Sequence, residues 1–222
     1  MSKNILITCP TMNIHGGVRV LVEWANHLSR RGHRVVFHIV QDYNYTWNPW
    51  IEFDKDVKLL VGPKLNYWGC EIIVVSTPAL ALSFDREKKV KSKKFYFLQM
   101  AEHYFNNDPA WHKLCIDSYK VEMPIIGISK WVEEDVRQYR GDGTMYYVGN
   151  GVSDDFKPGT KDEGLTILVE GWGGYPGNSS NAKDVDLLGP RVAEVLHKEY
   201  GAKIIAFSQF ALSRLSHAKQ YE

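Results

Sequence analysis

The reading of the fold is decided by residues 4–40. They run Asn4-Ile5-Leu6-Ile7-Thr8-Cys9, a polar loop through Thr11-Met12-Asn13-Ile14-His15-Gly16-Gly17, a stretch from Val18 to Gly32, and Val35-Val36-Phe37-His38-Ile39-Val40. Residues 4–9 are apolar without alternation, the pattern of a strand buried on both faces. Val18, Leu21, Val22, Ala25 and Leu28 then recur at i, i+3, i+4, i+7 and i+10, which is one face of a helix. Arg30 and Arg31 stand in its last turn and Gly32 follows, suiting the helix dipole and the C-cap. Residues 35–40 are a second apolar strand. The stretch therefore predicts one β-α-β unit with parallel strands.

The same alternation continues outward. Strands are predicted at 57–61, 72–76, 95–99, 125–128 and 145–148. Ser129 is the expected N-cap of a helix that ends near Gly141. Residues 1–150 thus read as an α/β domain, a Rossmann-like doubly wound parallel sheet covered by helices. Residues 151–163 are turn-rich and polar and read as a linker. A second α/β domain is expected over 164–222: a strand at 165–170, a Gly-rich loop, a helix to about Tyr200, a strand at 203–208 and a short tail. One β-α-β unit leaves a sheet face and both edges uncovered. That points to strands added to the first sheet, to cover by a partner such as a second copy of the chain, or to a second domain that is incomplete at Glu222.

Composition sets the outer bounds. The chain has 222 residues, 44% hydrophobic and 24% charged, an ordinary globular balance. Its 27 Lys and Arg against 26 Asp and Glu leave a formal net charge of +1, too little to hold a nucleic-acid backbone. No apolar run reaches the roughly 18–20 residues of a membrane span. The N-terminal run stops at Cys9-Pro10, too short for a signal peptide. The 3 cysteines, Cys9, Cys70 and Cys115, are widely spaced and odd in number. Neither a disulfide framework nor a zinc site is expected, and a cytoplasmic location follows.

Several segments carry candidate chemistry. Gly16 and Gly17 let backbone approach a ligand at a helix N-terminus, where free N–H groups meet an anion or a sugar hydroxyl; a tight strand-to-helix turn is the plain alternative. After the strand at 95–99, Glu102 and His103 stand on the rim where open α/β sheets bind ligands. A carboxylate beside an imidazole suits orienting or deprotonating a hydroxyl; an ordinary polar loop is the other reading. Tyr43, Tyr45, Trp47, Trp50 and Phe53 crowd one loop. Such faces bind sugar C–H groups or a membrane interface, or simply pin the loop. Arg86 to Lys94 holds six basic residues and one acid, a solvated turn or a face for anionic lipid. Glu170-Gly171-Trp172-Gly173-Gly174-Tyr175-Pro176-Gly177 follows a strand but misplaces its third glycine, so a dinucleotide is discounted. Asp184-Val185-Asp186 opens a helix, where acids suit the dipole better than a metal–diphosphate role.

Three ordered segments carry a family resemblance. Asn4 to Ile7 with His15-Gly16-Gly17-Val18 and Gly32-His33-Arg34-Val35, then Ile126-Gly127-Ile128-Ser129, then Val148-Gly149-Asn150-Gly151-Val152 with Phe156-Lys157-Pro158, resemble the GT-B glycosyltransferases of family 4. The resemblance implies two Rossmann-like domains facing across a cleft, with the acceptor on the first and a nucleotide-sugar donor on the second. Gly16 and Gly17 would then lie near the transferred sugar, and Asn150 and Gly151 in the interdomain crossing. Gly173, Gly174 and Lys183 would lie on the donor side. The arginine that usually precedes such a lysine is missing, and no two glutamates are separated by seven residues.

The expected function is transfer of a sugar from a nucleotide-sugar to a hydroxyl acceptor, be it glycan, lipid or small molecule. The resemblance implies metal-independent and retaining chemistry, with the nucleotide-sugar as co-substrate and no further cofactor. Backbone N–H groups and Lys183 would hold the leaving diphosphate. In an inverting enzyme Glu102 or His103 would be the base, and Tyr45, Trp47 and Trp50 would form the acceptor loop. Peripheral membrane contact and homo-oligomers fit the basic run and the uncovered edges. The rival readings are a non-catalytic sugar- or nucleotide-binding module, which the absent glutamate pair favours, and another Rossmann-like enzyme such as a sugar-nucleotide epimerase.

Overall fold

A computed structural model describes residues 1–13, 16–40, 50–64, 67, 69–87, 89–152, 157–159, 164–170, 188–207 and 219–221. The chain divides into two compact units, Met1–Gly151 and Val152–Glu222.

The first unit is built on seven parallel strands. They are β1 (Asn4–Cys9), β2 (Arg34–Ile39), β3 (Lys58–Val61), β4 (Ile72–Val75), β5 (Lys93–Leu98), β6 (Ile125–Gly127) and β7 (Met145–Tyr147). Their order is β3-β2-β1-β4-β5-β6-β7. The order runs one way from β1 through β2 to β3 and the other way from β4 onward. The reversal between β1 and β4 is the topological switch point, outside whose carboxyl ends such sheets bind ligands.

Side-chain alternation explains why the strands are apolar throughout. Ile5, Ile7, Phe37, Ile39, Val74 and Phe97 point to one face, where helix α1 (Gly16–Arg30) packs Val18, Leu21, Val22 and Ala25 against them. Leu6, Ile73, Val75, Tyr96 and Leu98 point to the other. There they meet Ala81 and Phe84 of α2 (Pro78–Arg86), Cys115 and Tyr119 of α3 (Pro109–Tyr119), and Val132 and Val136 of α4 (Lys130–Arg140). Each fully buried aliphatic or aromatic side chain contributes about 1.5–3 kcal/mol, so both faces hold the sheet.

Local chemistry sets the helix ends. Gly32, at φ +83°, closes α1: its N–H donates to the Ser29 carbonyl at 2.8 Å and that of His33 to Leu28 at 3.1 Å. Ser129 caps α4 as expected, accepting from the Val132 N–H at 3.1 Å. The sequence reading places no helix over α2 or α3. Both are short, and their signals are the caps rather than the periodicity. Thr77 before Pro78 accepts from the Leu80 N–H at 3.4 Å, and Asp108 before Pro109 from the Ala110 N–H at 2.9 Å.

The second unit has β8 (Thr166–Glu170), α5 (Leu188–Tyr200), β9 (Lys203–Phe207) and β10 (Lys219–Tyr221). Its parallel sheet has the order β10-β9-β8. The expected short tail therefore contains a third strand, paired to β9 from Lys219 opposite Ile205 to Tyr221 opposite Phe207. Ala193 of α5, Ala202 and Ile204 are buried in this unit.

Candidate functional site

The site is built at the carboxyl ends of β1, β4 and β5. At the switch point two buried hydroxyls tie β1 to β4. Thr8 donates to the Val74 carbonyl at 3.2 Å, and Ser76 to the Thr8 carbonyl at 2.8 Å. Gly16 and Gly17 are the first two residues of α1, where backbone N–H groups lack partners within the helix. Gln99, directly after β5, reaches over the end of β4. Its side-chain amide donates to the Gly17 carbonyl at 3.0 Å. A Cβ on residue 17 would come within 3.1 Å of that amide. A side chain at 17 would press on the Gln99 amide, which would have to shift by a few tenths of an ångström. Sequence reasoning did not single out Gln99. Its one signal is position, as the first polar residue after an apolar strand on the ligand-binding rim.

Glu102 and His103 lie in a single 3-10 turn, Glu102–Phe105, that leaves the end of β5. Glu102 points back under the turn and accepts from the Tyr96 hydroxyl at 3.1 Å. Burial strips water from its carboxylate and pushes its pKa up to about 8, with the Tyr96 hydrogen bond opposing. His103 is only 4% exposed. Its Nδ1 faces the Tyr119 hydroxyl at 3.2 Å and its Nε2 faces Asp135 at 3.6 Å. Burial holds its pKa below the ordinary histidine value, partly offset by Asp135. The ring therefore stays neutral at pH 7 and staples the turn to α3 and α4. His103 is more buried than a rim loop residue would be, because Tyr119, Tyr139 and His112 close around it. The indole of Trp111 donates to the Glu102 carbonyl at 3.0 Å and pins the same turn.

The other expected residues fall in different places. Trp50 donates to the Met12 carbonyl at 2.8 Å and packs against the α1-side core. Phe53 meets the Phe37 ring at 4.9 Å. Buried Asn26 holds the same segment, donating to the Glu52 carbonyl at 3.0 Å and accepting from the Asp54 N–H at 2.7 Å. These aromatics pin their segment. Asn150 and Gly151 are exposed at the end of the first unit, beyond β7. His15, Tyr45, Trp47, Gly173, Gly174, Lys183, Asp184 and Asp186 lie outside the described residues.

No protein-family model and no curated protein matches this sequence. Solved structures do match the fold. UGT2 of Phytolacca americana, complexed with UDP-2fluoro-glucose and pterostilbene, superposes with a TM-score of 0.61 at 10% identity, over 98% of this chain and 71% of its own. A glycosyltransferase from Rickettsia africae gives 0.60 at 13% identity, over 99% and 68%. LpCGTa in complex with UDP gives 0.63 at 9% identity, over 100% and 70%. The fold is that of GT-B glycosyltransferases. In GT-B terms the seven-stranded unit is the N-terminal domain, and the three-stranded unit is part of the second α/β domain. At these identities the likeness speaks for architecture. The chemistry has to be argued from the residues above.

Proposed function

We propose that this chain belongs to a glycosyltransferase that moves a sugar from a nucleotide-sugar to a hydroxyl acceptor, with acceptor binding on the first unit. The observation that supports it most is the Gly16-Gly17 helix start at the switch point, bridged by Gln99, within a fold shared with structures bound to UDP and UDP-sugar. Backbone N–H groups at a helix start, which have no acceptor within the helix, suit a hydroxyl or the charge that develops on a leaving phosphate. Gln99 is a positioning residue: it holds the carbonyl of Gly17, and with it the Gly17–Val18 peptide in the first turn of α1.

The finer reading follows the sequence resemblance. It is family-4-like, metal-independent and retaining, with Gly173, Gly174 and Lys183 toward the donor and Asn150 and Gly151 at the crossing. In an inverting reaction Glu102 is the proton-transfer candidate. Held at about 8, it is mostly protonated at pH 7 and takes a proton only in more alkaline solution. His103, with both ring nitrogens facing protein groups, positions the turn that carries Glu102.

The test is residue-resolved. Titrating UDP-glucose and GDP-mannose into the isotope-labelled chain should shift the Gly16 and Gly17 amides and the Gln99 side-chain amide. The affinity expected is near millimolar, about −4 kcal/mol. Shifts confined to other residues, or none for either nucleotide-sugar, refute the assignment of this rim.

A further inference from the structure

Trp50 and Phe53, two of the aromatics expected to offer faces to a ligand, pack against the core, yet the carboxyl rim carries an exposed pair formed elsewhere. Tyr104, in the turn after β5, is 57% exposed, and Trp131, in the first turn of α4, is 51% exposed. Their rings stack with centroids 6.1 Å apart and planes 28° from parallel. Phe105 beside them is also exposed. We propose that Tyr104 and Trp131 form a carbohydrate platform that holds one sugar unit of the acceptor, which makes the acceptor a glycan. This deepens the glycosyl-transfer reading and rests on it.

Three observations carry the assignment. Tyr104 is held in place before any ligand arrives. The Tyr104 hydroxyl donates to Asp135 Oδ1 at 2.8 Å, and the Tyr104 ring lies 4.0 Å from that of His103. Ordering cost on binding is therefore small. The surroundings are mixed. Exposed Lys130 precedes Trp131, and exposed Glu134 stands one helical turn beyond it. A sugar ring presents C–H groups on its face and hydroxyls at its edge. The C–H groups, slightly positive, meet the negative face of an aromatic ring, and the hydroxyls find charged side chains alongside. A flat apolar acceptor is better served by an enclosed apolar slot, whereas both rings here lie open. Position is the third point. The platform stands at the carboxyl ends of β5 and β6, two and three strands from β1. Gly17 meets the same β5 end through Gln99, so an acceptor lying along this rim runs past both.

The experiment applies the labelled 222-residue chain to a printed array of plant, microbial and animal glycans, with Trp131→Ala, Tyr104→Ala, Trp131→Phe and Tyr104→Phe beside it. Circular dichroism verifies that each variant is folded. The expected result is capture by a defined glycan class, weakened about fivefold to tenfold in each alanine variant, within about twofold of wild type in Trp131→Phe, and weakened by an intermediate factor in Tyr104→Phe, which keeps the ring but loses the tie to Asp135. An array that captures no wild-type protein overturns the proposal. So does equal capture of the alanine variants. Fluorescence quenching by resveratrol that disappears in Trp131→Ala, without glycan capture, also overturns it, in favour of a phenolic acceptor. The nucleotide-sugar titration separates the two ideas. Gly16 and Gly17 shifts with an empty array remove the platform alone. Glycan capture without those shifts removes the transferase reading and leaves a sugar-binding surface.

Discussion

Replacing Glu102 by glutamine tests the electrostatics of the rim directly. The carboxyl accepts the Tyr96 hydroxyl at 3.1 Å, and the amide oxygen of glutamine keeps that bond. What changes is ionisation. Burial raises the folded-state pKa from 4.5 to about 8, so the native protein holds a proton that the unfolded chain has released. The raised pKa contributes stability that is fully present below about pH 4.5 and is lost as pH rises toward 8. At pH 7 the unfolded chain gains about 3 kcal/mol from ionising this group while the native state gains almost nothing. That figure barely changes if the folded value is one unit lower, because the unfolded pKa then still dominates the difference. Glu102→Gln should therefore be more stable than wild type by about 1 kcal/mol at pH 5 and by about 3 kcal/mol at pH 7. The slope steepens across this range toward about 1.4 kcal/mol per pH unit, one proton, as the unfolded carboxyl becomes fully ionised. Urea unfolding of both proteins across this range, followed by tryptophan fluorescence, gives the difference curve and cancels groups common to both. A flat curve, or a variant whose advantage shrinks as pH rises, refutes the claim that the carboxyl is desolvated.

Other substitutions probe neighbouring parts of the argument. His103→Ala empties a site that is 4% exposed and removes the contacts to Tyr119 and Asp135, so a loss of about 2–4 kcal/mol is expected in urea unfolding; a change under about 0.5 kcal/mol places the ring outside the packed turn. Arg140 donates to the carbonyls of Tyr119, Val121 and Met123 at 2.7–2.9 Å, closing the end of α3, and Arg140→Met should cost about 3 kcal/mol with a lowered melting temperature. Gly17→Val drives a side chain into Gln99 and should abolish the nucleotide-sugar shifts at the rim while far-ultraviolet dichroism stays that of wild type. Gln99→Ala should leave melting nearly unchanged yet weaken the same titration several-fold; unaltered affinity removes its positioning role.

The order of strands and helices was legible in sequence because burial on both faces forces it. Continuous apolar runs such as Ile5-Leu6-Ile7 have no solvent face, and only a parallel sheet covered on both sides accepts them. The helix after Gly17 and the Ser129 cap were equally readable, since periodicity and capping act within a few residues. The short helices α2 and α3 escaped notice because their apolar residues do not gather into a clear stripe, whereas α4, no longer than α3, does so behind its Ser129 cap. Partnerships between distant segments were not legible at all. Gln99 meets Gly17 only because β4 lies between β1 and β5 in the sheet, and strand order is decided by packing rather than by any local signal. The aromatic residues show the same division. Composition left Trp50 and Phe53 open between a ligand-facing surface and a pinned loop, and hydrogen bonds and ring contacts to residues far away in sequence pack them, half-buried, against the core. Tyr104 and Trp131 looked unremarkable one at a time and became a stacked, exposed pair when β5 and β6 were laid side by side. The ionisation of Glu102 belongs with them, since only the layer of Tyr96, Cys115 and Tyr119 folded around it withdraws the water that would keep it charged. Sequence alone settled which faces must be hidden; which side chains the hiding brings together, and what that does to their chemistry, was decided by the tertiary structure, because contact and solvent exclusion act through space and not along the chain.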